Sequence, residues 1–203
     1  MIHTVAVIGG SGFVGRATIE KLAQADYQII VLCRNSDRAK YLKPMGRSGQ
    51  ITIVAGNALD DRALEAVLAP ADAVVNMVGI LAESGAQKFD ALQSELPQRI
   101  GRLAARYNQQ ALVHLSAMGA DTGSASRYAQ TKAAGEAGLK ATFPKVVILR
   151  PSVIFGPRDD FFNRFAKMAQ IAPALPLPGG GHMRIQPVYV EDVASSILAG
   201  LGI

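Results

Sequence analysis

Short apolar runs alternate with longer amphipathic ones along the chain. "TVAVI" (4–8), "QIIVLC" (28–33), "ITIVA" (51–55), "DAVVNMV" (72–78), "ALVHLS" (111–116) and "KVVILR" (145–150) are rich in Val and Ile. Their apolar residues run almost continuously instead of alternating, which predicts strands covered on both faces. Between them, residues 13–24, 36–43, 60–69, 87–107, 126–142 and 159–170 carry helical periodicity. Strand and helix in regular alternation predict an α/β fold: a doubly wound parallel sheet with helices on both faces. Beyond Arg150 the regularity loosens. "PALPLPGGG" (173–181) reads as a Pro/Gly loop, "RIQPVYV" (184–190) as a short strand and "EDVASSILAGL" (191–201) as a closing helix.

A length of 203 residues fits one domain, and a hydrophobic fraction of 49% supplies a core. No run reaches the ~18 apolar residues of a membrane-spanning helix. "MIHTVAVIGG" enters a strand at once, without the basic region and cleavage site of a signal peptide. A cytoplasmic location follows, with peripheral contact at an inner membrane as the alternative. Cys33 is the one cysteine, so no intrachain disulfide forms, and it reads as a small buried hydrophobe. The net charge of +5 suits anionic ligands. Its Lys and Arg are scattered, without a basic run interleaved with aromatics, which argues against nucleic acid. His3, His114 and His182 lack metal-ligand spacing, so no metal is expected.

The first strand runs straight into "GGSGFVG" and then a helix. Gly9, Gly12 and Gly15 make G-x-x-G-x-x-G directly between a strand and a helix. The chain must turn sharply, approach a pyrophosphate without a Cβ in the way, and pack a helix closely on the sheet. Gly10 and Ser11 keep the turn small, and Phe13 and Val14 open the helix whose amides and dipole favour phosphate. The second strand ends "VLCRNSDR", with Arg34 where an NAD site usually carries an acid. Arg34, with Arg38 nearby, can pair with a 2′-phosphate, favouring NADP(H) over NAD(H); a solvated loop charge is the plainer reading. Asn57 and Ala58 in "GNALDD", and Val78 and Gly79 in "NMVG", follow the third and fourth strands, where the ligand crevice of such a sheet opens.

"SRYAQTK" places Tyr128 and Lys132 four residues apart on a helix, hence on one face. An ammonium beside a phenol favours the phenolate and makes it a usable acid/base at neutral pH. Ser116, at the end of "LVHLS", can polarise a carbonyl beside it. "HLSAM" lacks the G-x-S-x-G elbow of a hydrolase nucleophile. The aromatics of "DDFFNRF" (159–165) read as packing on the sheet edge, or as an acyl or partner groove.

With "GGSGFVG", "NMVG", "LSAMGA", "YAQTK", "LRPSVIFGP" and "QPVYVEDVA" in order, the chain resembles the extended and atypical branch of the short-chain dehydrogenase/reductase superfamily. Within it, the chain is similar to bacterial relatives of the NADPH-carrying accessory subunit of respiratory complex I, described as nucleoside-diphosphate-sugar epimerase-like. The resemblance implies Tyr128 as catalytic acid/base, Lys132 as its pKa-lowering, ribose-binding partner and Ser116 as substrate-orienting residue. It places Pro151, Ser152 and Val153 on the loop beside the nicotinamide, and Asp192 in a second-domain contact motif. Two readings follow. One is NADP(H)-dependent hydride transfer on a small carbonyl compound or nucleotide sugar. The other is a non-catalytic, NADPH-stabilised accessory or assembly protein of complex I.

The resemblance also implies a single NAD(P)-binding domain over 1–203, with 151–203 beginning a substrate lobe that continues beyond this chain. The polar residue that such proteins supply from the helix after the fourth strand falls on Gln93 or Ser94, and Pro97 should bend or restart that helix.

Overall fold

The computed structural model describes residues 1–171, 180, 182 and 184–203. Six strands, β1 (Thr4–Ile8), β2 (Gln28–Cys33), β3 (Ile51–Ala55), β4 (Ala73–Asn76), β5 (Ala111–Leu115) and β6 (Val147–Leu149), form one sheet in the order β3-β2-β1-β4-β5-β6. Every pairing in it is parallel. The order reverses between β1 and β4, and a ligand crevice opens at the carboxyl ends there.

Alternation along β1 sends Val5 and Val7 to one face and Ala6 and Ile8 to the other. On the first face they meet Ile19 and Leu22 of α1 (Phe13–Gln24) and Val193 and Ile197 of α7 (Val190–Leu201). On the second they meet Leu64 and Leu68 of α3 (Asp61–Leu68), Leu96 and Ile100 of α4 (Leu96–Arg106), and Leu139 of α5 (Arg127–Thr142). Two cores, one per face, explain why the strands lack a polar side.

Local chemistry sets the boundaries. Asp60 caps α3 through the Arg62 amide, and Asn35 caps the short α2 (Ser36–Ala39) through that of Arg38. The helix expected over 36–43 is shorter than its pattern: it tightens into a 3₁₀ segment, Lys40–Met45, around Pro44, which cannot donate in an α-helical ladder. The helix expected over 87–107 begins with a π-helical turn, Asp90–Glu95, and continues without a break into α4, with Pro97 in its first turn. The strand expected over 184–190 contracts to β8 (Val188–Tyr189), parallel to β7 (Ile154–Phe155). Most of the loop expected over 173–181 lies outside the described residues. α6 (Phe162–Ala169) follows β7; Phe161 just before it packs edge-to-face on Phe162 and Phe165, and Phe162 on Phe155, with none of the three helix-end rings fully buried.

Candidate functional site

The turn after β1 has the shape that its glycines predict. Gly9 has φ +88°, and a Cβ there would stand 3.0 Å from the Met77 backbone. A Cβ on Gly15 would stand 2.5 Å from the Gly9 carbonyl, so only a bare α-carbon lets α1 seat against the turn. Gly12 caps α1 without a side-chain hydrogen bond, and no acid occupies the first helical turn. The amino end of α1 therefore meets no capping side chain and no first-turn carboxylate, the electrostatics an anion needs.

Above them lies a cleft of about 500 Å³. Gly9, Ser11, Gly12, Arg34, Asn57, Ala58, Val78 and Gly79, all singled out from sequence, line it. Gly10, Phe13, Val14 and Gly15 stand behind that lining, in the turn and the first turn of α1. The Asn57 carboxamide closes its own loop by accepting from the Leu59 amide at 3.0 Å. Arg34 is exposed at the rim and enters no ion pair among the described residues. Two neighbours of the turn escape motif reading. The Tyr41 hydroxyl donates to the Ser11 carbonyl at 2.8 Å, and the Arg16 guanidinium lies 4.9 Å above the Tyr41 ring. The residues present fit a dinucleotide: a cradle that a Cβ would fill, helix amides without a side-chain cap, and an exposed cation at the cleft rim.

Tyr128, Lys132 and Ser116 lie across the fourth and fifth strands from that turn. Tyr128 is half-buried in the first turn of α5, its ring edge-to-face with Phe89 at 6.0 Å. Burial pushes its phenol up. Lys132 is 4% exposed. Its Nζ donates to the Leu115 carbonyl at 3.2 Å and lies 3.2 Å from where a Cβ on Gly79 would stand. Burial pushes this ammonium down to about 8, with Glu136 opposing the fall. Sequence pattern places Lys132 beside Tyr128, but here the phenol is governed by burial.

Ser116 is buried beside Glu136, its Oγ without a partner at hydrogen-bond geometry. Pro151 and Ser152 line a separate hollow of about 450 Å³ with Met118 and Val188, while Val153 pairs its carbonyl with the Val188 amide. Gln93 is spoken for: its Nε2 donates to the Ile80 carbonyl at 2.6 Å and its Oε1 accepts from Thr131 at 3.1 Å. Ser94, half-buried one residue on, makes no side-chain hydrogen bond among the described residues.

Sequence reasoning missed the polar cluster under α5. Glu136, 3% exposed, receives Arg150 Nε at 2.8 Å and Nη2 at 2.5 Å. Burial alone would raise this carboxyl; the hydrogen bonds and charge of Arg150 outweigh it and hold it below the usual range. Asn76 accepts from the Val78 amide through Oδ1, which turns its Nδ2 onto His114 Nδ1 at 3.1 Å. His114 therefore carries its proton on Nε2, which is buried without a partner. Burial, then the charge of Lys132, push this imidazole down to about 3. Among the described residues no three His, Cys, Asp or Glu side chains converge on a metal position, and no helix is long and apolar enough to cross a membrane.

The comparisons agree with this geometry. A mitochondrial "NADH dehydrogenase [ubiquinone] 1 alpha subcomplex subunit 9" of Arabidopsis thaliana is 32% identical over 96% of this chain and 49% of its own length. A "Ceramide reductase" of Caulobacter vibrioides is 29% identical over 96% of the chain and 60% of its own. The chain thus spans about half the length of the subunit 9 relatives it matches. Among solved structures, the Bordetella bronchiseptica enzyme WbmH in complex with NAD+ superposes with a TM-score of 0.77, at 16% identity, over 100% of this chain and 73% of that one. The model of the NAD dependent epimerase/dehydratase family matches residues 5–201, and the chain belongs to that family, with its NAD(P)-binding Rossmann fold.

Proposed function

We propose that this chain is the cofactor-binding part of an NADP(H)-dependent oxidoreductase or epimerase of the short-chain dehydrogenase/reductase type, acting on a small carbonyl compound or nucleotide sugar. One observation carries the reading: a glycine-built cleft with Arg34 at one rim reaches Gly79, against which the buried Lys132 ammonium rests. Gly9 to Gly15 hold the pyrophosphate on bare backbone, Asn57 and Ala58 flank the adenosine side, and Arg34 pairs with a 2′-phosphate. When bound, the nicotinamide supplies or accepts a hydride at the substrate carbon.

The chain's own groups handle the proton. Tyr128 gives it to, or takes it from, the substrate oxygen, and Lys132 lowers the cost of the phenolate once a ribose holds it in place. Ser116 orients the oxygen, and Pro151 to Val153 lead to the substrate side, where residues 151–203 begin a second lobe. Titration of the protein with NADPH and NADH tests this. Tight NADPH binding that weakens about tenfold in Arg34→Ala, with NADH unchanged, is expected. Equal affinity for both cofactors in the wild type removes the NADP(H) preference. With any carbonyl substrate turned over, Tyr128→Phe must abolish turnover.

The complex I relatives favour a second reading, an NADPH-stabilised accessory or assembly protein peripheral at the inner membrane. Co-isolation of the native protein with respiratory subunits, together with unchanged assembly in Tyr128→Phe, supports it. Recovery of the native protein alone, from membranes that hold intact complex I, counts against it.

A further inference from the structure

Glu136 has no place in the chemistry described above, yet it is among the most completely buried charged side chains of the described residues. It lies one helical turn beyond Lys132 and four residues on, hence on the same face of α5. Its two oxygens are occupied by Arg150, whose guanidinium is half-exposed, so the pair spans from solvent to the interior. Arg150 immediately precedes Pro151 to Val153, so the same pair ties the lysine-bearing helix to the loop expected beside the nicotinamide. Lys132 and Glu136 do not close an ion pair of their own, because the ammonium is drawn to the Leu115 carbonyl against Gly79. The other titratable group that the charge of Lys132 reaches is His114 on β5, which burial keeps neutral and which offers no negative charge.

We infer that Glu136, pinned by Arg150, is a positioning residue for Lys132, supplying the buried negative charge that keeps this ammonium charged at the cleft wall and so sets the pH range of cofactor binding. The inference rests on the reading of Lys132 as the cation that meets the cofactor. A purely structural tie between α5 and β6 would change stability but not the pH dependence of binding. Burial already works against the ammonium, and a carboxylate within one helical turn is the group that opposes it.

The test is the dissociation constant of NADPH between pH 6 and 9.5 for the wild-type chain, Glu136→Gln and Glu136→Asp. Wild-type affinity should fall above about pH 8, as Lys132 loses its proton. In Glu136→Gln the fall should begin about one pH unit lower, weakening binding several-fold near pH 8. Glu136→Asp should restore most of the wild-type profile. If Glu136→Gln does not fold, the double variant Glu136→Gln/Arg150→Gln leaves no charge stranded and should show a downward shift of the same sign but smaller, because a cation is removed with the carboxylate. A wild-type profile in a folded variant without the carboxylate overturns the role of Glu136 while leaving the cofactor reading intact. Absence of NADPH binding by the wild type at every pH overturns both.

Discussion

The two ends of the crevice are built by opposite means. At the β1 end the site is made by leaving side chains out: Gly9, Gly12 and Gly15 bare the backbone, and the cleft holds its shape because nothing fills it. At the α5 end it is made by burying groups that resist burial, with Lys132, Glu136, His114, Ser116 and Asn76 all nearly inaccessible. The first end presents bare backbone and uncapped helix amides, at little electrostatic cost. The second holds charges in the interior, where each depends on its partners and each responds to pH.

If the first end is a cradle defined by contact, Gly15→Val should give the largest effect of all. Its side chain would meet the Gly9 carbonyl and the Gly10 backbone, neither of which is free to yield. A loss of about 3 kcal/mol in stability and of all measurable NADPH binding is expected, read by urea denaturation and cofactor titration. A stable, NADPH-binding Gly15→Val would remove the distinction between the two ends.

Arg150→Met probes the other end. It strands the buried Glu136 carboxylate, lowering Tm by about 5 °C at pH 7. The sign of the pH dependence is the sharper readout. In the wild type the Glu136 carboxyl is held below its unfolded value, so its contribution is present above the usual carboxylate range and is lost as pH falls through the depressed value. Without Arg150, burial dominates and the carboxyl rises, so acidification from pH 6 to 4 should spare or stabilise the variant relative to the wild type. Parallel melting curves across that range would show that Arg150 does not govern Glu136.

The smallest effect at neutral pH belongs to His114. Its folded value is depressed to about 3, so the unfolded chain binds a proton near pH 6.5 that the folded chain refuses. Stability is therefore full above about pH 7 and falls steadily as pH drops towards 3, by roughly 2 kcal/mol at pH 5. His114→Gln, which keeps a polar group of similar reach, should flatten that slope. An unchanged slope would place the acid lability elsewhere.

How much of this was legible in the sequence follows the same division. The six strands and both faces of helices were readable from apolar runs, because burial on both sides leaves no polar alternation to confuse the period. The glycine turn was readable too, since missing side chains are a property of the letters themselves, and the family model matches nearly the whole chain. Pro97 marked where the π-helical turn gives way to α4 for the same reason: a residue that lacks an N–H acts locally.

Residues 184–190 shrank to the two residues of β8 because a strand needs a partner, and its partner β7 is two residues long. Glu136 and Arg150 sat unread in "KAAGE" and "ILRPS", ordinary charges on a helix and at a strand end. Only folding brings α5 down on β5 and β6, closes Arg150 on Glu136 and turns a surface-like carboxylate into a buried one. The sequence by itself determined the sheet, its two covered faces and the tight glycine turn, since these follow from hydrophobic period and steric absence within a few residues. Tertiary structure alone decided which charges are buried together, because that depends on the distance between residues far apart in the chain, and electrostatic coupling is set by distance and solvent exclusion.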